Sequence, residues 1–286
     1  MKMDDERESD NVEDRRGEAG GGFPIRGGHI GIGTIAIALV AMYFGVDPSL
    51  VLQQLSGAAA PAHQTPAHAP PQDDEQARFV SMVLADIEDT WGPLFAASGR
   101  TYIDPKLVLF SGSYPTACGM GEAAMGPFYC PQDSKVYIDL AFYRELRERF
   151  HAPGDFAQAY VIAHEVGHHV QNLLGISAKV QQARQHLSER DANALSVRVE
   201  LQADCLAGVW AHHADRARHI LEQGDVEQAL RAASAIGDDT LQKQARGVVV
   251  PETFTHGSAE QRVRWFKRGL ESGGVKECDT FKATTL

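Results

Sequence analysis

Three side chains that could carry out metal-assisted chemistry lie close together at His164, Glu165 and His168. Apolar residues recur at helical spacing from 156 to 174 without a proline, which predicts a buried amphipathic helix. Residues four apart leave the same face of a helix, so both imidazoles could reach one metal ion. Glu165 would lie beside that ion, placed to take a proton from a metal-bound water rather than to bind the metal.

The apolar flanks of this helix favour a metal site. A helix that buries Tyr160, Ile162 and Val166 must provide partners for its histidines and glutamate, because an unpaired polar group in a core costs a few kcal/mol. A metal ion would supply those partners. The alternative is a solvated helix face on which the same residues occur by chance.

A second helical segment, from about 192 to 213, carries Glu200 and Asp204, again four residues apart among apolar neighbours. A catalytic zinc commonly takes three protein ligands plus water, and two histidines with a glutamate are one recurring set. Glu200 is therefore the predicted third ligand. Asp204 would accept a hydrogen bond from the non-ligating nitrogen of a zinc-bound histidine and fix its tautomer. The alternative is an acidic pair on the protein surface.

Hydrolysis of a carbonyl compound also needs a group that stabilises the oxyanion, and His256 is the candidate for that role. It precedes Ser258 and Gln261, whose spacing predicts a capping box at the start of a helix. A histidine at such a position can also be purely structural. Tyr137 and Tyr160 are the alternatives for the same role.

The composition is that of an ordinary globular protein: 286 residues, 43% hydrophobic and 23% charged. A formal net charge of -11 without a basic stripe argues against a nucleic-acid partner. Helical periodicity predicts a first helix that begins near residue 75 and ends at Gly92-Pro93, and another helix over 225–246. Apolar runs at 107–110 and 136–140 predict two strands among helices. The expected fold is α+β and mainly helical, with a small sheet whose edge, at 136–140 or in the Gly-rich loop before it, pairs with an extended peptide.

The first 76 residues change sharply in composition. Residues 1–28 are rich in charge and glycine, which predicts a disordered tail. Residues 29–47 contain a long uncharged apolar run, which predicts one transmembrane helix rather than a buried soluble helix. Residues 48–76 are rich in Ala, Pro, His and Gln, as is typical of a linker. Residues 77–286 would form the metal-binding domain.

The predicted span can be oriented from its flanking charges. Arg15, Arg16 and Arg26 precede it, and no Lys or Arg follows until Arg78. The positive-inside rule places the N-terminus in the cytoplasm and the domain outside the cytoplasmic membrane. A cleaved signal peptide would need a site such as 58–60, which lies too far beyond the apolar run. A third possibility is a cytoplasmic protein that uses the run as an interaction helix.

Four cysteines occur without a Cys-x-x-Cys pair, which does not resemble a zinc knuckle. Outside the cytoplasm, an even number of cysteines favours two disulfides. Cys118–Cys130 with Cys205–Cys278 is the simplest of three possible pairings. The alternative is that the cysteines are free and buried.

The sequence resembles the bacterial neutral zinc metallopeptidase family of membrane-anchored proteins in six separated runs: TACG at 116–119, GPFYCP at 126–131, VYIDL at 136–140, HEVGHHVQ at 164–171, ELQADCLAG at 200–208 and THGS at 255–258. This resemblance implies a zinc-dependent peptidase domain behind one N-terminal span. It also implies that His164 and His168 bind one zinc ion per chain and that Glu165 is the general base.

Further roles follow from related patterns. Glu200 followed four residues later by Asp204 resembles the gluzincin peptidases, which implies a gluzincin-like fold. His256 and Arg262 resemble a His-Pro…Arg element of membrane proteases that process prenylated or misfolded proteins, although Gly257 stands in place of the proline. Together with the predicted location outside the cytoplasm, these features lead us to expect hydrolysis of envelope proteins or peptides. A membrane-tethered metal-binding or scaffold protein without catalytic activity is the alternative.

Overall fold

The computed structural model describes residues 1–3, 6–18, 68–123, 126–148, 150, 152 and 154–286. Met1–Gly20 and His68–Leu286 belong to one compact unit. The predicted transmembrane helix at 29–47 and the linker up to residue 67 lie outside the described residues. Within the described part of the chain, no helix has the length and apolar character needed to cross a membrane.

The architecture is α+β and mainly helical, as predicted. The strands are β1 (Val12–Asp14), β2 (Lys106–Phe110), β3 (Ser113–Thr116), β4 (Gly119–Glu122), β5 (Phe128–Cys130) and β6 (Lys135–Asp139). The helices are α1 (Glu75–Ala97), α2 (Ala141–Glu148), α3 (Asp155–Leu173), α4 (Ile176–Arg184), α5 (Glu189–Arg218), α6 (Asp225–Ala235), α7 (Asp238–Arg246) and α8 (Ala259–Ser272). Single 3₁₀ turns lie at Pro251–Thr253 and Val275–Cys278.

Four strands form a sheet in the order β1-β2-β6-β5, in which β5 is antiparallel to β6 and the other pairs are parallel. Strands β3 and β4 form a separate antiparallel pair. In β2, Leu107 and Leu109 face the main core, whereas Val108 and Phe110 belong to a smaller cluster on the other face. Both faces are therefore buried, which explains why the two predicted strands read as unbroken apolar runs.

The edge strands of this sheet are β1 and β5. Strand β6 is paired with β2 on one side and with β5 on the other, so 136–140 is not an edge and that half of the prediction is wrong. The Gly-rich loop before it supplies β5, which pairs with β6 through Phe128 and Tyr137. The sequence could not separate the two choices because strand order depends on tertiary pairing.

The prediction of a disordered tail over residues 1–28 is wrong for its described part. Val12–Asp14 forms β1 and pairs in parallel with β2, with Val12 opposite Leu107. Val12 is buried. A strand of three residues among charged neighbours has no periodicity of its own, so its conformation depends on the edge that β2 offers.

Two helix boundaries also differ from prediction. Gly92-Pro93 was expected to end the first helix, but α1 continues to Ala97 with Pro93 inside it. The turn beyond the proline is anchored by Phe95, which packs against Trp91 and Tyr102. The periodic segment 225–246 forms two helices, α6 and α7, rather than one.

Helices α5 and α8 pack very closely, and a disulfide joins α5 to the C-terminal segment. A Cβ on Gly269 of α8 would lie 1.9 Å from the carbonyl oxygen of Cys205, so only glycine allows this approach. The disulfide is Cys205–Cys278, and a second one joins Cys118 to Cys130. Both agree with the simplest predicted pairing.

The two disulfides should differ in their contribution to stability. Cys205–Cys278 closes a separation of 73 residues and Cys118–Cys130 one of 12. Loop-closure entropy then predicts that replacing the first pair by serine lowers the free energy of unfolding by about 4 kcal/mol, and the second by about 3 kcal/mol. Urea unfolding of the two double variants measures both. An inverse order would show that local packing outweighs loop length.

Candidate metal centre

Helices α3 and α5 carry the candidate metal ligands, and their close approach brings the ligands together. Gly167, inside the His164–His168 turn, faces the backbone of Ala203 on α5, where an added Cβ would lie 3.0 Å from the carbonyl oxygen. Glycine at this position therefore lets α5 approach the helix that bears both histidines. His164 and His168 then face Glu200 across the contact.

The three predicted ligands form one cluster. Their ligand atoms lie within 4.8 Å of one another, and His164, His168 and Glu200 are the one such group of three or more His, Cys, Asp or Glu found among the described residues. The Nε2 atom of His164 lies 3.2 Å from Glu200 Oε2, and that of His168 lies 3.5 Å from Glu200 Oε1. Both imidazoles therefore point the same nitrogen at one carboxylate.

The opposite nitrogen of each ring is held by a buried acceptor. Nδ1 of His164 donates to Asp204 Oδ1 at 2.9 Å, as predicted for Asp204. Nδ1 of His168 donates to the side-chain oxygen of Gln171 at 2.9 Å. Because each Nδ1 faces an acceptor and donates to it, the neutral form of each ring has its lone pair on Nε2, where it can bind a cation. Gln171 is itself fixed by donating to the carbonyl of Val199 at 2.8 Å.

Asp204 is the centre of a fully buried polar network. The guanidinium of Arg262, on α8, donates to both of its oxygens at 2.9 Å. The hydroxyl of Tyr160 donates to Oδ1 at 2.5 Å. Asp204 and Tyr160 are wholly buried and Arg262 is 2% exposed. The network thus ties α3, α5 and α8 together behind His164, and Arg262 acts through Asp204.

The charges around the cluster favour a bound cation. Burial alone would lower the pKa of His164, but Asp204 and Glu200 outweigh it and raise that pKa to about 10. Burial would raise the pKa of Glu200, but the two histidines hold it well below its usual value. Glu200 and Asp204 are thus ionised in the folded protein, and their negative charges can compensate a metal ion in the same place.

Glu165 lies on the same helix at the wall of a large cleft. The cleft has a volume of about 1010 Å³, and its lining includes both histidines, Glu165 and His256. Burial raises the pKa of Glu165, and the neighbouring His164 and His168 partly offset this effect. A carboxylate with a raised pKa next to a metal site is suited to accept and return a proton.

His256 lies on the loop between the Pro251–Thr253 turn and α8, at the same cleft. Asp238, the first residue of α7, holds this loop: its Oδ2 accepts the backbone N–H groups of Thr255, His256 and Gly257 at 2.6, 2.6 and 3.1 Å. Its Oδ1 lies 3.2 Å from Nδ1 of His256. The hydrogen bond to Asp238 raises the pKa of His256 above its ordinary value.

The two tyrosines considered for the oxyanion lie in different places. Tyr137 is in the sheet, where its hydroxyl donates to Asp133, and it does not line the cleft. Tyr160 lines the cleft, but its hydroxyl is bonded to Asp204.

Sequence reasoning missed Gln171 and Asp238. The signal available for Gln171 was an amide side chain three residues after the ligand His168, on the same helix that was predicted to be buried. No local signal pointed to Asp238, because its partners are 17 to 19 residues further along the chain.

Comparison with known proteins agrees with this geometry. The family model described as "Putative neutral zinc metallopeptidase" matches residues 1–281. The chain belongs to this family. The match includes both helices of the metal cluster and the His256 loop.

Relatives of this chain occur in Escherichia coli and in Mycobacterium. "Uncharacterized protein YpfJ" of Escherichia coli K12 is 51% identical over 287 residues, which cover 98% of this chain and 99% of that protein. "Uncharacterized protein Mb2605" of Mycobacterium bovis and "Uncharacterized protein Rv2575" of Mycobacterium tuberculosis are each 42% identical over 267 residues, or 86% of both chains. No solved structure matches the chain.

The buried pair of Asp204 and Arg262 gives a stability prediction. Replacing Arg262 by leucine leaves Asp204 charged in the core, so the free energy of unfolding should fall by about 3–5 kcal/mol. Arg264→Leu is the matched control on the same helix, since Arg264 pairs with Glu260 at the surface and should contribute at most about 1 kcal/mol. Urea denaturation compares the two; equal losses would contradict the role given to the buried pair.

Proposed function

We propose that this protein is a zinc-dependent endopeptidase of the cell envelope. One observation carries the proposal: two Nε2 atoms and a carboxylate converge on one point beside Glu165, at the wall of a cleft large enough for a peptide. A site that only binds metal needs no proton acceptor next to it. The presence of Glu165 therefore favours catalysis over the scaffold alternative.

The residues present fit zinc. Two imidazole nitrogens and one carboxylate oxygen are a recurring donor set for catalytic zinc, which keeps its fourth position for water. His164, His168 and Glu200 would hold one ion per chain. Bound there, zinc would act as a Lewis acid that polarises the scissile carbonyl and makes water acidic enough to react near neutral pH.

Glu165 would move the proton in this reaction. Its carboxylate accepts a proton from the attacking water and returns it to the leaving amine. The surrounding burial raises its pKa, which makes the carboxylate a stronger base and the carboxylic acid a competent donor in turn. Asp204 and Gln171 keep the two imidazoles oriented while this happens.

His256 would stabilise the oxyanion. When the ring is protonated, Nδ1 donates to Asp238 and Nε2 carries the second proton, which it can donate to a substrate carbonyl. Its side chain is 52% exposed at the cleft, so a substrate can reach it. Asp238 positions the ring and the loop but does not contact the substrate in this proposal.

An extended peptide would lie along β5. This edge strand offers unpaired backbone groups beside the cleft, and Phe128 and Tyr129 line it. The hydroxyl of Tyr129 lies 3.0 Å from Nδ1 of His169 and accepts from Asn172 at 3.0 Å, which fixes β5 against α3. Because β5 is fixed in this way, a peptide that pairs with it would have its backbone at a defined distance from the metal cluster.

The domain would act outside the cytoplasm of a bacterium. Two disulfides are expected where the environment is oxidising, and are rare in the cytosol. The apolar run at 29–47 is the proposed attachment to the inner membrane. The substrates would then be proteins or peptides of the envelope.

The first test separates metal binding from turnover. Glu165→Gln should retain one zinc per chain and lose roughly 10²–10⁴-fold in kcat, because proton transfer is lost while the ligands remain. Glu200→Gln should lose both zinc and activity. Metal content by mass spectrometry and cleavage of casein measure the two effects, with Glu189→Gln at the exposed start of α5 as control. Full activity of Glu165→Gln would refute the mechanism.

A pH profile tests His256. An imidazolium that donates to the oxyanion loses this ability as the pH rises through its pKa, which Asp238 raises. Asp238→Asn removes that contribution, so the alkaline limb of kcat/KM should move to lower pH. Asp239→Asn is the matched control, since Asp239 accepts from the backbone of Ala259 instead. An unchanged alkaline limb in Asp238→Asn would show that His256 does not act as the charged donor.

A further inference from the structure

Residues 6–18, here called the N-terminal segment, are hydrogen-bonded to the metal-site domain along their length. Beside the β1–β2 ladder, the N–H of Leu107 donates to the carbonyl of Asn11 at 2.9 Å, and the N–H of Arg15 donates to that of Leu109 at 2.8 Å. The segment also crosses α1, where the hydroxyl of Ser81 donates to the carbonyl of Ser9 at 3.0 Å.

Glu88 on α1 is matched to this segment. Its carboxylate is 6% exposed. It accepts from Arg7 at 2.8 Å, from the hydroxyl of Ser9 at 2.6 Å and from the amide of Asn11 at 2.8 Å. All three donors belong to the N-terminal segment. A carboxylate buried without donors costs several kcal/mol, so this part of α1 is built to be covered by these residues.

Charges of both signs complement each other along the same contact. Arg16 pairs with Asp74, just before α1, at 2.6 Å. In the second pair the segment supplies the negative charge, because its Glu13 pairs with Lys135 of β6 at 3.0 Å. Such alternating pairs fix the position of the segment on its surface, as they do at specific interfaces.

We propose that the N-terminal segment and the metal-site domain lie on the same side of any membrane that the protein contacts. Strands that share a ladder cannot be separated by a bilayer. One crossing between residues 18 and 68, which the sequence predicts from its apolar run, would put β1 and β2 on opposite sides. The family match begins at residue 1 and thus includes the segment.

Two of the three arginines used to orient the predicted span, Arg15 and Arg16, take part in the same fold. Arg16 is bonded to Asp14 and Asp74, and Arg15 donates to Glu18 at 2.6 Å. Their positive charge is therefore largely neutralised within the domain. The positive-inside rule counts Lys and Arg on the two sides of a span, but these two residues are built into the domain and must lie on its side, so they do not place the N-terminus opposite the domain. This inference does not depend on the proposed catalytic activity.

Cysteine labelling in cells tests the proposal with matched positions. Asp10→Cys in the segment and Asp73→Cys before α1 both replace exposed aspartates of the full-length protein. Spheroplasts are treated with a membrane-impermeant maleimide, before and after lysis, with the parent chain as control. We expect both positions to be labelled together, either in intact spheroplasts or only after lysis. Labelling of one position in intact spheroplasts while the other requires lysis would overturn the proposal.

A stability measurement tests the docking itself. Val12→Asp places a charge in the buried position opposite Leu107 and should lower the melting temperature of the purified full-length protein. Asp10→Val, two residues away at an exposed position, should leave that temperature nearly unchanged. If Val12→Asp melts like the parent protein, the segment is not docked and the proposal fails.

Discussion

The buried carboxylate of Asp204 is the constraint on which the metal centre depends. It is wholly buried and ionised, so it must receive hydrogen bonds from several directions. Tyr160 and His164 come from α3, and Arg262 comes from α8. The three helices meet these requirements together in the arrangement that the structure has. That arrangement is the one in which the ligand nitrogens face Glu200.

Such a network gives orientation more than net stability. Taking a guanidinium and a carboxylate out of water costs about as much as their attraction returns, and apolar residues of the same volume would stabilise helix packing equally well. Apolar residues could not accept a hydrogen bond from Nδ1 of His164, which is what keeps the proton on that nitrogen. The polar network therefore makes sense as support for the ligand set, and Gln171 gives His168 the same support with a neutral acceptor.

The local sequence pattern was enough to predict much of the candidate site. Spacing of four within two apolar helices identified His164, His168, Glu200 and Asp204, and the capping box at Ser258 located the start of α8. These features depend on neighbours along one helix. Asp238 and β1 could not be found in this way. Both depend on partners far along the chain. The helical period continues through residue 237, so it concealed the break between α6 and α7 that lets Asp238 face the His256 loop.

The two halves of the cleft differ in how firmly they are held. His164 and Glu165 are less than 9% exposed on a helix packed in the core, whereas the side chain of His256 is 52% exposed on a loop that hydrogen bonds to Asp238 hold. A hydrolase that must admit a peptide between metal and electrophile gains from this difference. The ligand geometry stays fixed because a metal tolerates little displacement, while the loop can adjust to the carbonyl that it must meet.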